Sequence, residues 1–350
     1  MQNSGGPYRP PPRNAGQDIG PLMRRLPRHP RSNVLMPAVR LDMLTVRDGW
    51  LVIGDGVDGL ILNREQRIVR QPAKFSVPDR TGAGVTELDL PLSDTRFDQV
   101  FIGVDADWTN WFHWLCFALF RSAFAAELLR DDCPIVLPDY PAVDASPRLR
   151  FSHAAWGQSL AAAGLLGRAT FLPPGIYKAG VIRFLWTQPN EPTSLTLLPA
   201  FHGVFARMRR GLRYRPELPR RLLVSRTTAT DPRIAVQEWE TLIKLASAHG
   251  FQPITFEALD FRTQAEAMFN ADAVIGVHGA GLTNIMFGRR DLRVMELNLP
   301  LDGSELLRPW FYLLAHARRQ PYGFLNQAAG DLNQERLAAA IDSLVHGLSR

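Results

Sequence analysis

The segment Ala273–Phe287 constrains the fold of this chain most strongly, because it predicts a strand, a glycine turn and a helix in direct succession. Its first part, Ala273–Val277, is an apolar run typical of a parallel strand buried on both faces. Gly279 and Gly281 follow, and glycine is favoured where a chain turns or where another group approaches the backbone closely. Apolar residues then recur at helical spacing up to Phe287. A unit of this kind is typical of α/β folds.

A glycine turn that leads into a helix is a candidate anion site. The first N–H groups of a helix have no partner within it, and the positive end of the helix dipole favours a phosphate or a carboxylate. The same pattern also fits a tight turn that packs and binds nothing, and short glycine motifs often match by chance. The segment alone leaves both interpretations open.

Length and composition indicate a globular protein with room for two domains. The chain has 350 residues, of which 46% are hydrophobic and 21% charged. It contains no apolar run long enough for a membrane span, and its N-terminus lacks the apolar core of a signal peptide. Cys116 and Cys133 lie in apolar surroundings, so we expect buried thiols, which suits a reducing compartment.

The formal net charge of +6 is concentrated in the N-terminal tail. Residues 1–33 contain six Arg and one Asp, which leaves 34 basic and 33 acidic residues for the remainder. The globular part therefore gives no indication of nucleic-acid binding. The tail is rich in Pro, Gly and Arg, and we expect it to be disordered.

The remainder is predicted to form two domains, 34–215 and 216–350, with a last helix that would cross back in one variant of this division. Between 39 and 69, short apolar pieces alternate with turn signals and predict β-hairpins, and Asp55 and Asp58 fit turn chemistry better than a calcium loop. Strands and helices then alternate in both halves, which predicts Rossmann-like parallel sheets. The boundary is placed in an arginine-rich stretch that prolines interrupt.

Two features of the N-terminal half are candidate site residues. Asp105 and Asp107 follow a predicted strand, where they would either hold a metal–diphosphate pair or satisfy turn N–H groups. His113 lies in the first turn of a helix for which Asn110 is the predicted N-cap. The helix dipole there favours a neutral imidazole that can accept a proton, and the alternative is a histidine packed among aromatic rings.

Short motifs in a fixed order connect these features. They comprise Asn110–Trp114, a strand ending in Ser225-Arg226, then Arg233, Gly250 and Gln264, the glycine segment with His278 and Asn284, and a strand that carries Glu296. In order and spacing they resemble family 61 glycosyltransferases, formerly a domain of unknown function. The similarity spans about 200 residues, from Asn110 to Glu296.

This resemblance implies a GT-B arrangement, in which two Rossmann-like domains face a cleft, with the nucleotide sugar on the C-terminal domain and the acceptor on the N-terminal one. It implies inverting, metal-independent transfer, with no metal or other cofactor beyond the nucleotide sugar as co-substrate. Asp105 and Asp107 would then have structural roles. The donor is expected to be a UDP-sugar, such as one of xylose, arabinose or N-acetylglucosamine, and the acceptor a glycan or a polysaccharide.

The resemblance and the residue chemistry together suggest individual roles. Arg226, at a strand end, would hold two phosphate oxygens and act in catalysis, and His278 would donate to the same diphosphate. Glu296 would hold ribose hydroxyls, or else form a salt bridge with an arginine. His113 would be the general base for the acceptor hydroxyl. The residues expected to bind the nucleotide sugar are Ser225, Arg226, Arg233, His278, Gly279, Ala280, Gly281, Leu282, Asn284 and Glu296.

The same residues also bear on other functions and partners. A catalytically inactive glycan- or nucleotide-sugar-binding protein would share the fold, since a fold does not determine activity. An α/β-hydrolase would need a Gly-x-Ser-x-Gly elbow, which the chain lacks. We expect a cytoplasmic enzyme, in which arginine-rich segments would allow peripheral contact with a membrane.

Overall fold

The computed structural model describes residues 6–7, 35–36, 40–54, 57–69, 89–104, 108–129, 132–139, 155–188, 198–225, 234, 236–298, 309–326 and 332–346. The chain divides into two compact units, one comprising Met1–Gly6 and Pro37–Met208, the other Pro7–Met36 and Arg209–Arg350. Apart from strands β1 (Gly6–Pro7) and β2 (Leu35–Met36), the N-terminal segment lies outside the described residues, and so does the predicted disorder of the tail. The predicted domain boundary near residue 215 stays a prediction.

The first unit contains a six-stranded mixed sheet. Its strands are β3 (Arg40–Ile53), β4 (Leu60–Leu62), β5 (Leu92–Ile102), β6 (Ile135–Pro138), β7 (Ala169–Leu172) and β8 (Gly175–Gln188). Their spatial order is β4-β3-β8-β5-β6-β7, with β4, β3 and β8 antiparallel and the remaining pairs parallel.

The parallel sheet predicted for the strands between residues 100 and 186 is present as β8-β5-β6-β7. The antiparallel strands β3 and β4 extend it on one side. The hairpin pieces predicted before and after Asp48-Gly49 belong to one long strand, β3, which pairs with β8 along its length. Apolar alternation identifies a strand but carries no information about its direction, and β3 and β8 are far apart in sequence. Within the parallel part, β8-β5-β6-β7, helices lie between β5 and β6 and between β6 and β7 in the chain.

The first unit has three described helices. Helix α1 is continuous from an α-helical turn, Trp111–His113, through a π-helical segment, Trp114–Leu119, to an α-helical part, Phe120–Leu128. Helix α2 is Ala155–Ala162, and α3, Pro199–Arg209, ends at the division between the units. A 3₁₀ turn, Leu166–Arg168, leads into β7.

The second unit is built on a five-stranded parallel sheet. Its strands are β9 (Arg221–Val224), β10 (Gln252–Ile254), β11 (Ala273–Val277), β12 (Arg293–Asn298) and β13 (Tyr322–Asn326), in the spatial order β10-β9-β11-β12-β13. All four neighbouring pairs are parallel. Numbered within this unit, the order is 2-1-3-4-5, a doubly wound arrangement.

Helices cover both faces of this sheet. They are α4 (Val236–Ala248), α5 (Phe261–Asn270), α6 (Trp310–Ala317) and α7 (Gln334–Val345), with 3₁₀ segments at Phe256–Ala258 and Ala280–Phe287. Helices α4 and α7 pack on one face, where Leu242 and Ile341 share a core with strand residues Ile275 and Met295. The last helix thus packs within the second unit.

The second unit folds largely as its sequence predicts, with three differences. Strand β11 is buried throughout, but the following helix is a 3₁₀ helix. The cap of α5 is Asp260, which accepts from the N–H of Thr263, rather than Thr263 itself. Strand β13 was not predicted. The α/β class is confirmed, while the GT-B arrangement stays a prediction.

Candidate functional site

The carboxyl ends of β9 and β11 lie side by side in the second unit, at the point where the strand order reverses. In doubly wound sheets, ligands bind outside the carboxyl ends at this switch point. Ser225 directly follows β9 and is buried, with its N–H donating to Ile254 O at 2.8 Å. His278 directly follows β11, and its N–H donates to Leu297 O at 2.8 Å. The fold therefore brings two of the predicted site residues to one edge.

The imidazole of His278 is held in place by buried neighbours. Its Nδ1 hydrogen-bonds Oε1 of Glu296, whose side chain is fully buried on the neighbouring strand β12. The ring also packs against Trp310 and Phe311 of α6, with centroid distances of 6.2 and 5.1 Å. With Nδ1 engaged by Glu296, chemistry toward a ligand has to come from Nε2, which donates a hydrogen bond only when the ring is protonated.

Tyr322 completes a buried chain of three polar side chains. Its hydroxyl donates to Oε2 of Glu296, so both carboxylate oxygens have protein partners. Burial, followed by the negative charge of Glu296 and the hydrogen bond to it, raises the pKa of Tyr322 well above its ordinary value. The hydroxyl therefore stays a donor at any working pH.

In this row of hydrogen-bonded side chains, Glu296 lies between Tyr322 and His278. Among the described residues, its side-chain partners are a histidine and a tyrosine, and the salt bridge to an arginine that the sequence left open is not formed with any of them. A carboxylate in this position orients the imidazole and selects which ring nitrogen carries a proton. The predicted contact of Glu296 with ribose would require this arrangement to change.

The glycine turn differs in detail from its prediction. Gly279 has an extended backbone, with φ 170° and ψ 166°, which any residue can adopt. The N–H of Leu282 donates to Gly279 O at 3.0 Å, so it is used within the turn instead of completing an anion cradle. Ala280 and Gly281 are partly exposed, whereas Leu282 is fully buried. The N–H groups that precede Leu282 remain the candidates for an anion.

Packing explains the glycine at position 281. A Cβ atom there would lie 3.0 Å from Val224 Cγ1 and 3.6 Å from Phe256 Cδ2. The close approach predicted for this glycine is thus made by a neighbouring strand and a neighbouring 3₁₀ turn.

Asn284 has a structural environment. It is fully buried, and its amide donates to Gln264 Oε1 at 3.2 Å. Gln264 in turn donates to Leu259 O at 2.9 Å. These bonds tie the 3₁₀ segment to the start of α5, which accounts for both motif residues without a ligand.

His113 belongs to the first unit and lies in the first turn of α1, as predicted. Asn110 is the N-cap, and its side chain accepts from the N–H groups of Phe112 and His113 at 3.0 and 3.4 Å. The imidazole is stacked on Phe117, with centroids 5.5 Å apart, and is 8% exposed. The predicted aromatic surroundings are therefore present, and a π-helical segment of the kind that is frequent at functional sites begins at the next residue.

Several predicted residues have no described placement. Asp105, Asp107, Arg226 and Arg233 lie outside the described residues. Asp58 is described, and it accepts from Gly54 N at 3.0 Å and from Trp108 Nε1 at 2.7 Å, which confirms turn chemistry there. Within the described ranges, no three His, Cys, Asp or Glu residues are grouped as metal ligands would be.

Two further predictions concern the whole chain. Cys116 and Cys133 are free and buried, as expected. Burial raises the pKa of both thiols. Of the helices that can be described, none has the length and apolar character needed to cross a membrane.

Tyr322 is the site residue that the sequence did not indicate. It lies beyond the resembling motifs, and no spacing links it to Glu296. The register of β12 and β13 pairs Val294 with Tyr322. A prediction of strand β13 from its apolar run would have been the only route to it.

Comparison with known protein families gives a match that covers part of this site. A family model described as Glycosyltransferase 61 matches residues 111–295, more than half of the chain. The match includes His113, Ser225 and the glycine turn with His278, and it ends one residue before Glu296. No curated protein matches the chain.

Proposed function

Because the chain belongs to the glycosyltransferase 61 family, we propose that it transfers a sugar from a nucleotide sugar to a glycan or polysaccharide acceptor. The donor is a UDP-sugar, the anomeric configuration inverts and no metal takes part. The donor binds the second unit and the acceptor the first, in a GT-B arrangement.

The observation that carries this proposal is the buried chain from Tyr322 through Glu296 to His278 at the switch point of a doubly wound sheet. An imidazole held at the edge where such sheets bind ligands is suited to one task at a fixed position. In transfer from a nucleotide sugar, negative charge develops on the leaving diphosphate. A protonated His278 would donate from Nε2 to that diphosphate, and Glu296 would balance its charge.

The remaining roles follow from this position. Arg226, next to Ser225, would bind phosphate oxygens through its planar guanidinium. The N–H groups of the glycine turn before Leu282 would add neutral donors. Glu296 acts on the donor through His278, which revises the ribose contact expected for it.

For the acceptor, His113 is the proposed general base. A neutral imidazole at the start of a helix can take the proton of the attacking hydroxyl. His113→Ala should then reduce transfer by roughly a hundredfold while UDP affinity changes little. Equal losses of transfer and of thermal stability would instead mark a histidine that only packs against Phe117.

A titration with UDP tests the donor site. We expect wild-type protein to bind UDP and His278→Gln to bind about tenfold more weakly, the loss of one charge-assisted hydrogen bond. His346→Gln is the matched control, because His346 is an exposed histidine that directly follows α7 in the same unit. Equal UDP affinities for the two variants would remove His278 from the donor site.

Turnover distinguishes the enzyme from a binding protein of the same fold. Wild-type protein should release UDP from its UDP-sugar in the presence of acceptor, both with and without EDTA. UDP-sugar binding without any UDP release, over a panel of acceptors, would favour the catalytically inactive alternative. A loss of release in EDTA that manganese restores would contradict metal-independent transfer.

A further inference from the structure

Three arginines lie together at the opposite edge of the second unit, where β12 and β13 begin. Arg290 precedes β12, Arg318 follows α6 shortly before β13, and Arg209 ends α3. We call these three residues the amino-edge arginine cluster. It is remote in the fold from His278, which follows the carboxyl end of β11.

Backbone carbonyls at the end of the 3₁₀ segment hold two members of the cluster. Arg209 Nη1 donates to Met286 O at 2.8 Å, and Arg318 Nη2 donates to Gly288 O at 2.6 Å. The two acceptors are two residues apart in the chain, so the guanidinium groups converge on one short segment. Arg290 lies two residues beyond Gly288.

The charges in the cluster repel one another. Burial, followed by the charge of Arg290, lowers the pKa of Arg209 to about 10. Burial, followed by the charges of Arg209 and Arg290, lowers the pKa of Arg318 to about 9. Arg209 and Arg318 remain cationic at neutral pH, and the nearby positive charges reduce the stability of their charged forms.

Other arginines of the same unit have acidic partners. Arg289 is paired with Asp272 and Asp291, at 2.7 and 3.1 Å, and Arg220 with Asp272 at 2.6 Å. Within the described part of the chain, no carboxylate forms an ion pair with a member of the cluster. The cluster thus has the composition of an anion-binding site.

Capping of the 3₁₀ segment explains only part of this arrangement. Arginines near a helix C-terminus often bond its last carbonyls, and Arg209 and Arg318 do so. Arg290 makes no such bond to the described residues, yet it adds a third positive charge. The Nε–H of Arg318 is buried and has no hydrogen-bond partner among the described residues. A donor in that state suits an oxyanion.

Gln320 adds a feature that bears on which oxyanion fits. Its Nε2 donates to Ile285 O and Arg289 O, at 2.9 and 3.0 Å, which fixes the amide beside the same segment. Its Oε1 is buried, without a hydrogen-bond partner in the described ranges. An acceptor beside guanidinium donors favours an anion that also carries an O–H group, as monohydrogen phosphate does and sulfate does not.

We propose that the amino-edge arginine cluster is a binding site for a phosphate group, separate from the donor site. The ligand is monohydrogen phosphate or a singly protonated phosphomonoester, held by the guanidinium groups of Arg209, Arg290 and Arg318. Two sources offer this chemistry, a soluble phosphate compound and the headgroup of a phosphatidic acid membrane.

Thermal unfolding in phosphate is the first test, with sulfate and chloride at matched ionic strength. For millimolar affinity, 20 mM phosphate should raise the Tm of the wild type by about 4 °C relative to chloride, and sulfate should raise it less. Arg290→Ala should lose this rise, because Arg290 adds charge without anchoring the backbone. Arg336→Ala removes the same charge from an exposed position on α7 and should keep the rise.

Measuring both variants in the phosphate assay and in the UDP titration separates the two sites. His278→Gln should keep the rise of Tm in phosphate and bind UDP more weakly. Arg290→Ala should lose the rise of Tm and keep its UDP affinity. A phosphate response that disappears in His278→Gln and persists in Arg290→Ala would overturn the cluster as a site while supporting the donor site. Equal responses of Arg290→Ala and Arg336→Ala would overturn it as well.

Vesicle sedimentation identifies the source of the phosphate. Vesicles containing phosphatidic acid should bind the wild type more strongly than vesicles of phosphatidylcholine alone if a lipid headgroup is the ligand, and Arg290→Ala should abolish the difference. Binding of inorganic phosphate that depends on Arg290, without such a vesicle preference, assigns a soluble ligand. Absence of any response that depends on Arg290 in both assays refutes the site.

Discussion

The variant Tyr322→Phe removes one hydroxyl. It tests whether the hydrogen bond from Tyr322 to a charged Glu296 stabilises the buried side chains next to His278. Tyr322 is 5% exposed, and its hydroxyl donates to a fully buried carboxylate. Hydrogen bonds to charged groups contribute about 1.5–3 kcal/mol each. The variant also leaves a carboxylate oxygen of Glu296 without its donor in a site that water does not reach. We therefore expect the free energy of unfolding of the second unit to fall by about 2–3 kcal/mol.

Tyr177→Phe is the matched control. Tyr177 is 3% exposed and, like Tyr322, lies in a strand, but its hydroxyl donates to a neutral acceptor, Pro173 O, at 2.6 Å. Both rings have an aromatic neighbour, Phe97 for Tyr177 and Tyr312 for Tyr322, which phenylalanine preserves. A neutral hydrogen bond contributes about 1 kcal/mol, so Tyr177→Phe should lower the free energy of unfolding by about that amount.

Urea unfolding monitored by tryptophan fluorescence and far-UV circular dichroism measures both variants, with separate transitions fitted if the two units unfold independently. A double-mutant cycle with Glu296→Gln isolates the pair, and we expect a coupling energy of about 1–2 kcal/mol between positions 296 and 322. The difference in free energy of unfolding between wild type and Tyr322→Phe should stay constant from neutral to mildly alkaline pH. The reason is that the raised pKa of Tyr322 keeps its hydroxyl protonated. If Tyr322→Phe loses no more stability than Tyr177→Phe, or if the coupling energy is zero, Glu296 does not act as a buried charge held by Tyr322.

Two further predictions concern stability in each unit. Burial lowers the pKa of His316 from 6.5 to about 4, so the unfolded chain binds the extra proton first as the pH falls. The free energy of unfolding should therefore decrease by about 3 kcal/mol between pH 6.5 and pH 4. In urea titrations, His316→Gln should flatten the pH dependence of this free energy over the same range. An unchanged slope would show that His316 is not buried. In the first unit, Gly59 and Gly164 have nearly equal positive φ angles of 79° and 76°, but only at Gly59 would a Cβ meet a backbone atom, Val104 O at 2.8 Å. Gly164→Ala should therefore lose about 1 kcal/mol and Gly59→Ala at least about 1 kcal/mol more, and equal melting temperatures would contradict the close contact.

Most of the second unit was predictable because most of its elements are specified by local sequence. The β-branched run of β11, the glycines after it and the amphipathic pattern of α4 each require only neighbouring residues. Parallel pairing then follows from the alternation of strands and helices, and the carboxyl edge with Ser225 and His278 follows from parallel pairing. Asn110 as the N-cap of α1 is a prediction of the same local kind.

The first unit was less predictable because its sheet depends on pairing between distant segments. Strand β3 pairs with β8, and four other strands and two helices lie between them in the chain. Neither periodicity nor the turn signal at Asp48-Gly49 reports such pairing, and the turn signal was overridden by the ladder with β8. Tyr322 was missed for the same reason, since its role is set by a partner on another strand.

The glycine turn shows why motif residues need separate arguments even when they are adjacent. Gly281 and Asn284 are accounted for by Val224 and Gln264, which are packing and hydrogen-bonding partners within the unit. His278 is different, because its neighbours orient a titratable ring at a sheet edge where ligands bind. A substitution at Gly281 that lowers activity would therefore act through the position of the 3₁₀ segment and should also lower stability. A substitution at His278 that acts through the donor should lower UDP affinity by more than its effect on unfolding explains.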